Sequence, residues 1–358
     1  MTVTPPKTER QSNFEALRIV CALLIVFVHA NFWTLGNPSW DDLSSNTAPT
    51  LLRMLLQFIC SPATYAFVLI SGYFGIRVKL KSILNLLFLL IFWKTVMIIR
   101  KGIFEGWEFS IIHQLNPFVG WFIPAYVAML CFVPALNSFA DNMDRKDLGR
   151  HLAVLLPAVM ILDCSQFIKE FNCGYSAVAL MTAYLLGKYL GKPSATVNKE
   201  HLRFWYTAKG AAMAFFVLIG LRIAAHCAIL YIAKDNSKLS DFLTRAIGMY
   251  TSPLVLAGSV LLFLTFKRLR FQSRLINWIA LSAFPIIGYH LYHGYRNAVL
   301  QIYTQHSGIT CVGAIALLGI VTALTIVVID QIRIFLWRKV ISRFCDLLSR
   351  FPAIVSSR

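Results

Sequence analysis

The sequence predicts an all-α integral membrane protein, a bundle of about ten transmembrane helices with both termini on the cytosolic side (N-in, C-in). Three observations lead there. Of 358 residues, 58% are hydrophobic and only 14% charged, with a mean hydropathy of +0.65; a soluble domain has about half apolar and a quarter charged residues. Apolar stretches of about twenty residues, enough to cross a hydrocarbon core about 30 Å thick, recur with short breaks along the chain. Finally, the basic residues collect in alternate breaks. Of 34 lysines and arginines, 22 fall on the side of the amino terminus and seven on the other, the bias that orients membrane helices.

In chain order, residues 1–12 are polar and read as a disordered cytoplasmic tail. Residues 13–337 form the ten-helix transmembrane domain, with spans near 14–33, 58–76, 83–100, 117–139, 150–168, 173–190, 209–232, 246–266, 275–295 and 310–337. The first span is no cleavable signal, because it carries His29, lacks a small-x-small cleavage site and is followed by further spans. Residues 34–50 hold no lysine or arginine; 51–57 read as a short interfacial helix carrying Arg53, and Pro62 admits the chain to the second span. Trp107 and His113 lie in the break 102–116, where such rings are ordinary interface anchors. The longest inner loop, 187–209, carries Pro193 and five basic residues. Residues 338–358 form a basic amphipathic cytoplasmic tail, with Val340, Phe344, Leu347, Leu348 and Phe351 at helical spacing between arginines.

The net charge of +18 is distributed by membrane topology and does not point to nucleic acid. No internal repeat is visible, which argues against transporter architectures built from paired halves. The eight cysteines mostly sit singly inside spans with no C-x-x-C pair, so neither a zinc site nor a disulfide scaffold is signalled. Cys164 and Cys173 flank one short outer turn and could pair; buried thiols acting as small hydrophobes are the plainer reading.

Arg18 and His29 carry the most chemistry. At 100° and 1.5 Å per residue their eleven steps leave them within about 20° of each other and about 16 Å apart on one helix. Ionisable groups inside a membrane are expensive and functional by default. Glu15 precedes Arg18 by three residues and is placed to neutralise it; snorkelling by Arg18 and a structural hydrogen bond for His29 are the plainer readings. A neutral imidazole takes a proton from a hydroxyl near physiological pH.

Four further constellations stand out. Ser71-Gly72-Tyr73-Phe74-Gly75 closes the second span ahead of Arg77, Lys79 and Lys81. Its glycines allow close approach and its cations suit phosphates, although a helix end followed by a positive-inside stop has the same composition. Trp121-Phe122-Ile123-Pro124-Ala125-Tyr126 opens the fourth span, with Pro134 and Asn137 closing it. Gly288-Tyr289-His290-Leu291-Tyr292-His293 brings two histidines and two tyrosines to the outer part of the ninth span, where they could share a cavity with His29. With no carboxylate nearby these histidines make a poor metal site. Arg222 and His226, at i,i+4 in the seventh span, fit cavity lining and structural hydrogen bonding equally well.

Asn13-Phe14-Glu15-Ala16-Leu17-Arg18-Ile19 followed by His29 resembles the first helix of the acyltransferase-3 family of bacterial membrane O-acyltransferases, whose hallmark is Arg or Lys, ten residues, then His. Phe67-Val68-Leu69-Ile70-Ser71-Gly72-Tyr73-Phe74 resembles that family's second-helix motif. Gly120-Trp121-Phe122 with Tyr126, Pro134 and Asn137 is similar to its Trp-Phe helix ending in Pro-x-Leu-Asn. Residues 284–290 resemble a late segment usually written Phe-Gly-Ile-Tyr-Leu-Ile-His, with Pro285 and Ile287 replacing its glycine and tyrosine. The likeness spans residues 13 to about 295 and is closest to members that acetylate surface polysaccharides.

This resemblance implies an enzyme of the bacterial cytoplasmic (inner) membrane, an O-acetyltransferase moving acetyl from cytosolic acetyl-CoA to a hydroxyl of an extracytoplasmic or lipid-linked glycan. It implies no permanently bound cofactor and no metal. On that reading His29, as general base, and Arg18 are catalytic. Arg18, Glu15, Ser71, Gly72, Arg77 and Lys79 hold the acyl-CoA, and Trp121, Tyr126, His290 and Tyr289 hold the acceptor. A transporter or flippase of acyl groups or glycan intermediates is the alternative.

Overall fold

Ten residues without a charge separate Arg18 from His29, and they fold as the middle of helix α1 (Ser12–Ala30). The computed structural model describes residues 10–106, 120–165, 172–193, 204, 206–291 and 294–343; among them the backbone is helical and no strand occurs. After α1 come α2 (Phe32–Leu35), α3 (Trp40–Ser45), α4 (Thr47–Cys60), α5 (Ala63–Phe74) and α6 (Leu80–Glu105). The middle of the chain forms α7 (Phe122–Asp141), α8 (Arg145–Ser165), α9 (Ala177–Gly191), α10 (Ala208–Ile232), α11 (Ser237–Gly248) and α12 (Pro253–Lys267). Next come α13 (Arg274–Ile279), a 3-10 turn (Ala280–Ser282), α14 (Ala283–Tyr289), α15 (Tyr295–Gln305) and α16 (Gly308–Leu336), which runs into a π turn (Trp337–Ile341). Residues 1–9, Trp107, His113, Tyr292, His293, residues 194–203 and 205 of the inner loop and the tail from Phe344 lie outside the described residues, while Ser12 of the expected tail is the first residue of α1.

By length and composition, seven stretches among the described residues can cross a membrane: Ser12–Leu35, Thr47–Phe74, Leu80–Phe104, Phe122–Asp141, Ala208–Ile232, Ser237–Lys267 and Gly308–Ile341. The predicted spans 150–168, 173–190 and 275–295 are not among them. Helix α8 opens with Arg145, Lys146, Asp147, Arg150 and His151 in its first two turns. Helix α9 is apolar but has 15 residues. The third is cut into α13, the 3-10 turn and α14. Pro285 fits this break, since the first turn of a new helix has no partner for the N–H that proline lacks.

The expected short interfacial helix at 51–57 is instead part of α4, which meets α5 in a stretch of 28 residues. Ser61 and Pro62 both keep right-handed helical dihedrals, so the proline interrupts the hydrogen-bond ladder without reversing the chain. Cys164 and Cys173 are both free thiols, and Cys164 Sγ donates to Met249 Sδ at 3.6 Å.

Helix α1 is central, packed against α4, α5, α12, α14 and α16. Helices α5 and α9 approach backbone to backbone. A Cβ on Gly72 would stand 2.0 Å from the Tyr184 carbonyl oxygen, and one on Gly187 would stand 2.4 Å from that of Leu69. Small residues permit this contact, whose gain is van der Waals packing rather than a hydrophobic force between helices.

At the other side of α1, Asp330 of α16 is fully buried and its two oxygens hold three elements together. Arg333 binds it through Nε at 2.5 Å and Nη2 at 2.9 Å, Trp93 Nε1 of α6 donates at 2.9 Å, and Ser282 Oγ donates at 2.8 Å. Every lone pair that faces protein is used, which is what a buried charge requires. Asp330→Ala strands the Arg333 cation in the bundle and is expected to cost about 3–5 kcal/mol. Denaturant unfolding in detergent micelles will show the loss, with Asp330→Ala/Arg333→Leu more stable than the single variant.

Candidate functional site

Where α1 ends, a cavity of about 520 Å³ opens among α1, α2, α4, α10 and α11. His29, Phe32 and Trp33 form one wall, Gln57, Phe58 and Ser61 a second, and Trp121, Tyr175 and Tyr250 an aromatic third. Arg222 and His226 line it from α10 and Arg245 from α11. The turn after α1 is tied in place. Thr34 Oγ1 donates to the His29 carbonyl at 2.6 Å, Asn31 Nδ2 to the Arg53 carbonyl at 2.7 Å, and Arg53 Nη2 to the Gly36 carbonyl at 2.5 Å. The first of these satisfies a carbonyl that the end of α1 leaves without a partner.

Two imidazoles meet at this wall. His290 is 3% exposed, and its Nδ1 lies 2.9 Å from the Ile286 carbonyl and 3.1 Å from that of Ile287. These are last-turn carbonyls of α14, which the helix end leaves open. Its Nε2 lies 3.2 Å from His29 Nδ1, which also lies 2.7 Å from the Ile25 carbonyl.

The proton positions follow from chemistry. A carbonyl oxygen only accepts, so both Nδ1 atoms carry hydrogen. His290 Nε2 is then an acceptor, served by the His29 Nδ1–H, which is shared between Ile25 and His290. Nε2 of His29 is left as the ring's basic nitrogen, on a side chain that lines the cavity.

Arg222 is held by a consequence of Pro62. Proline has no N–H to offer the carbonyl four residues earlier, which belongs to Phe58. Arg222 Nη1 takes that oxygen at 3.2 Å and Ser61 Oγ at 2.8 Å, with its guanidinium 4.4 Å from the Phe58 ring centroid. His226, one turn along α10, is 4% exposed, and its Nε2 has no hydrogen-bond partner among the described residues.

The other predicted site residues separate into two groups. Trp121 lines the cavity and packs edge-on against Tyr175, centroids 4.8 Å apart. Tyr289, one helical step from His290, points elsewhere: it is 2% exposed and stacked on Trp93 at 5.4 Å. Tyr126 lies between the two ends of α1. Its hydroxyl is 3.2 Å from Ser71 Oγ, its ring packs on Phe122 and Phe284, and it lies within electrostatic reach of Arg18.

Arg18 is at the opposite end from the cavity and pairs with Glu15 at 2.7 Å, a carboxylate that Arg10 also approaches at 3.8 Å. Gly72 is enclosed by α9, so its missing side chain serves helix packing. Arg77 and Lys79 are exposed in the segment after α5.

Sequence reasoning singles out Arg222 and His226 without assigning them a role, and it misses Gln57, Tyr175, Tyr250 and Arg245. No local signal marks these four, since they are joined only by tertiary packing. Asp330 was findable as an Asp-x-x-Arg pair in an apolar helix.

A family model described as an acyltransferase domain, that of the acyltransferase-3 family, matches residues 11–330. No curated protein and no solved structure matches the chain. The match covers the helices as far as Asp330 in α16, both imidazoles of the pair and the cavity wall, and the chain, a multi-pass membrane protein, belongs to the acyltransferase-3 family.

Proposed function

We propose that the protein is an O-acetyltransferase that moves acetyl from cytosolic acetyl-CoA to a hydroxyl of an extracytoplasmic or lipid-linked glycan. It works in a bacterial cytoplasmic membrane, with about ten spans and both termini cytosolic, the segments α8, α9 and α13–α14 being counted beside the seven long stretches. One observation carries the reading. His29 lines an aromatic-walled cavity while its Nδ1 proton is committed to Ile25 and His290, which leaves Nε2 basic.

The acceptor hydroxyl gives its proton to Nε2 as its oxygen attacks the thioester carbon. The C–O bond forms, the C–S bond breaks, and coenzyme A leaves as a thiolate that takes the proton back from the imidazolium. Protonation at Nε2 leaves both Nδ1 bonds intact, so the ring need not turn during the cycle. His290 positions His29, and Trp121 offers the acceptor a ring face.

The donor enters from the other end. Arg18, held by Glu15, takes a coenzyme A phosphate, while Arg77 and Lys79 lie in the exposed segment beyond Ser71 and Gly72 and attract the rest of the anion. Tyr126 then lies beside the path of the thioester arm.

Purified protein given radiolabelled acetyl-CoA and a glycan acceptor is expected to form an alkali-labile ester. His29→Ala should slow this about a hundred- to ten-thousand-fold. Label that crosses a vesicle membrane without any ester being formed would replace this reading with the transporter or flippase. His290→Ala is expected to lower kcat less than His29→Ala does and to leave the KM for acetyl-CoA unchanged. Arg18→Lys should keep part of the affinity for acetyl-CoA and Arg18→Ala little, because the role asked of it is a charge beside phosphate. Equal KM values in all three proteins remove Arg18 from the donor site.

A further inference from the structure

The cavity beside His29 is cationic in a way that its own walls do not balance. Arg222 and Arg245 line it together with His29 and His226, and among the described residues no aspartate or glutamate does. Arg245 has a carboxylate partner in Asp241, one turn away on α11. Arg222 has none among the described residues: it is 1% exposed, and its Nη1 alone donates, to two neutral oxygens. A guanidinium is always charged, and burying an ion without a counterion is costly. His226 adds the orphaned, buried Nε2 on the same face of α10.

From this we infer that the cavity binds an anionic group of the acceptor, a carboxylate or a phosphate carried by the saccharide, with Arg222 as its counterion and His226 as a second hydrogen-bond partner. The inference rests on the acyl-transfer reading for calling the ligand an acceptor.

Holding Arg222 at the helix break is a sufficient reason for one nitrogen, not for the charge. The break needs a donor for the Phe58 carbonyl, which a neutral amide would supply. Nε and Nη2 remain, the two-pronged geometry that guanidinium offers to carboxylate and phosphate. Coenzyme A is the wrong anion for this place, since Arg18 lies about 16 Å away along α1 and is absent from the cavity wall. The rest of the wall suits a sugar: Trp33, Trp121 and Tyr175 offer ring faces, and Asn37 and Gln57 offer amides.

The test is binding, read without acetyl-CoA. Protein in phosphatidylcholine nanodiscs is titrated with glucose, glucuronate, glucuronate methyl ester and glucose 1-phosphate. At least one charged sugar should bind about tenfold or more tighter than both neutral ones, as a charge-assisted pair in a desolvated site gives. Preference for glucuronate marks a carboxylated sugar unit; preference for glucose 1-phosphate marks a phosphate linkage. Arg222→Gln should abolish the preference and Arg222→Lys keep part of it, while His226→Ala weakens binding of the charged sugar.

The wild-type comparison needs no substitution to fold. Equal binding of charged and neutral sugars, no binding of any of the four, or an unchanged preference in Arg222→Gln overturns the inference. A protein that binds charged sugars but never forms an ester refutes acetyl transfer and leaves the anion site standing.

Discussion

The hydrogen bond between His290 Nε2 and His29 Nδ1 organises the functional end of this protein. It exists because two helix ends, α1 and α14, arrive at the same depth with carbonyls nearby that accept and cannot donate. Each imidazole is thereby confined to one tautomer, and the unprotonated nitrogen of the pair that remains available is His29 Nε2. Each ring is fixed by its own carbonyls, Ile25 for His29 and Ile286 with Ile287 for His290, and only with both Nδ1 atoms protonated can the His29 Nδ1–H also serve His290 Nε2. The break in the ninth predicted span, with Pro285 in the first turn of α14, sets apart the short helix whose end His290 caps.

Three treatments of charge within the apolar helices bear on the two ends of α1. Glu15 and Arg18 form a pair near one end of α1, partly open to solvent. Asp330 and Arg333 form a bidentate pair with two further donors and are sealed inside. Arg222 is sealed equally well and has only neutral acceptors. The first two patterns need nothing more from outside. The third stands out because Arg222 is as deeply buried as Arg333 while nothing of opposite charge answers it among the described residues.

The helical elements were readable because hydropathy and helical periodicity act along the chain. The relation between Arg18 and His29 needs only the helix rise and twist, and it survives in the fold. Periodicity says nothing of which neighbour a face meets, and the surprises come there. Tyr289 and His290 are adjacent in one motif, yet one stacks on Trp93 of α6 and the other meets His29 of α1 with the rings tilted. Gly72 reads as an opening for a ligand until α9 is seen against it. The bond from Arg222 to the Phe58 carbonyl joins residues 164 apart in sequence, and its cause, the missing N–H of Pro62, lies on a different helix from the arginine. Likewise the aromatic wall draws Trp121, Tyr175 and Tyr250 from three separate segments, a convergence that only packing creates.

Between the two ends of α1 the interior is filled by rings. Tyr126 packs on Phe284 at 5.3 Å and on Phe122 at 5.6 Å, and Phe122 meets Trp121 of the cavity wall at 5.8 Å. Any arm that carries an acyl group from the Arg18 end to His29 has to displace part of this series. Phe284 belongs to α14, whose end is capped by His290. Because α14 has only seven residues, these two side chains cannot move far independently. A shift of α14 that makes room beside Tyr126 also moves the imidazole that orients His29. On the proposed reading, passage of the donor and placement of the base therefore bear on the same short helix, whose leading end is tied to α16 by the bond from Ser282 to Asp330.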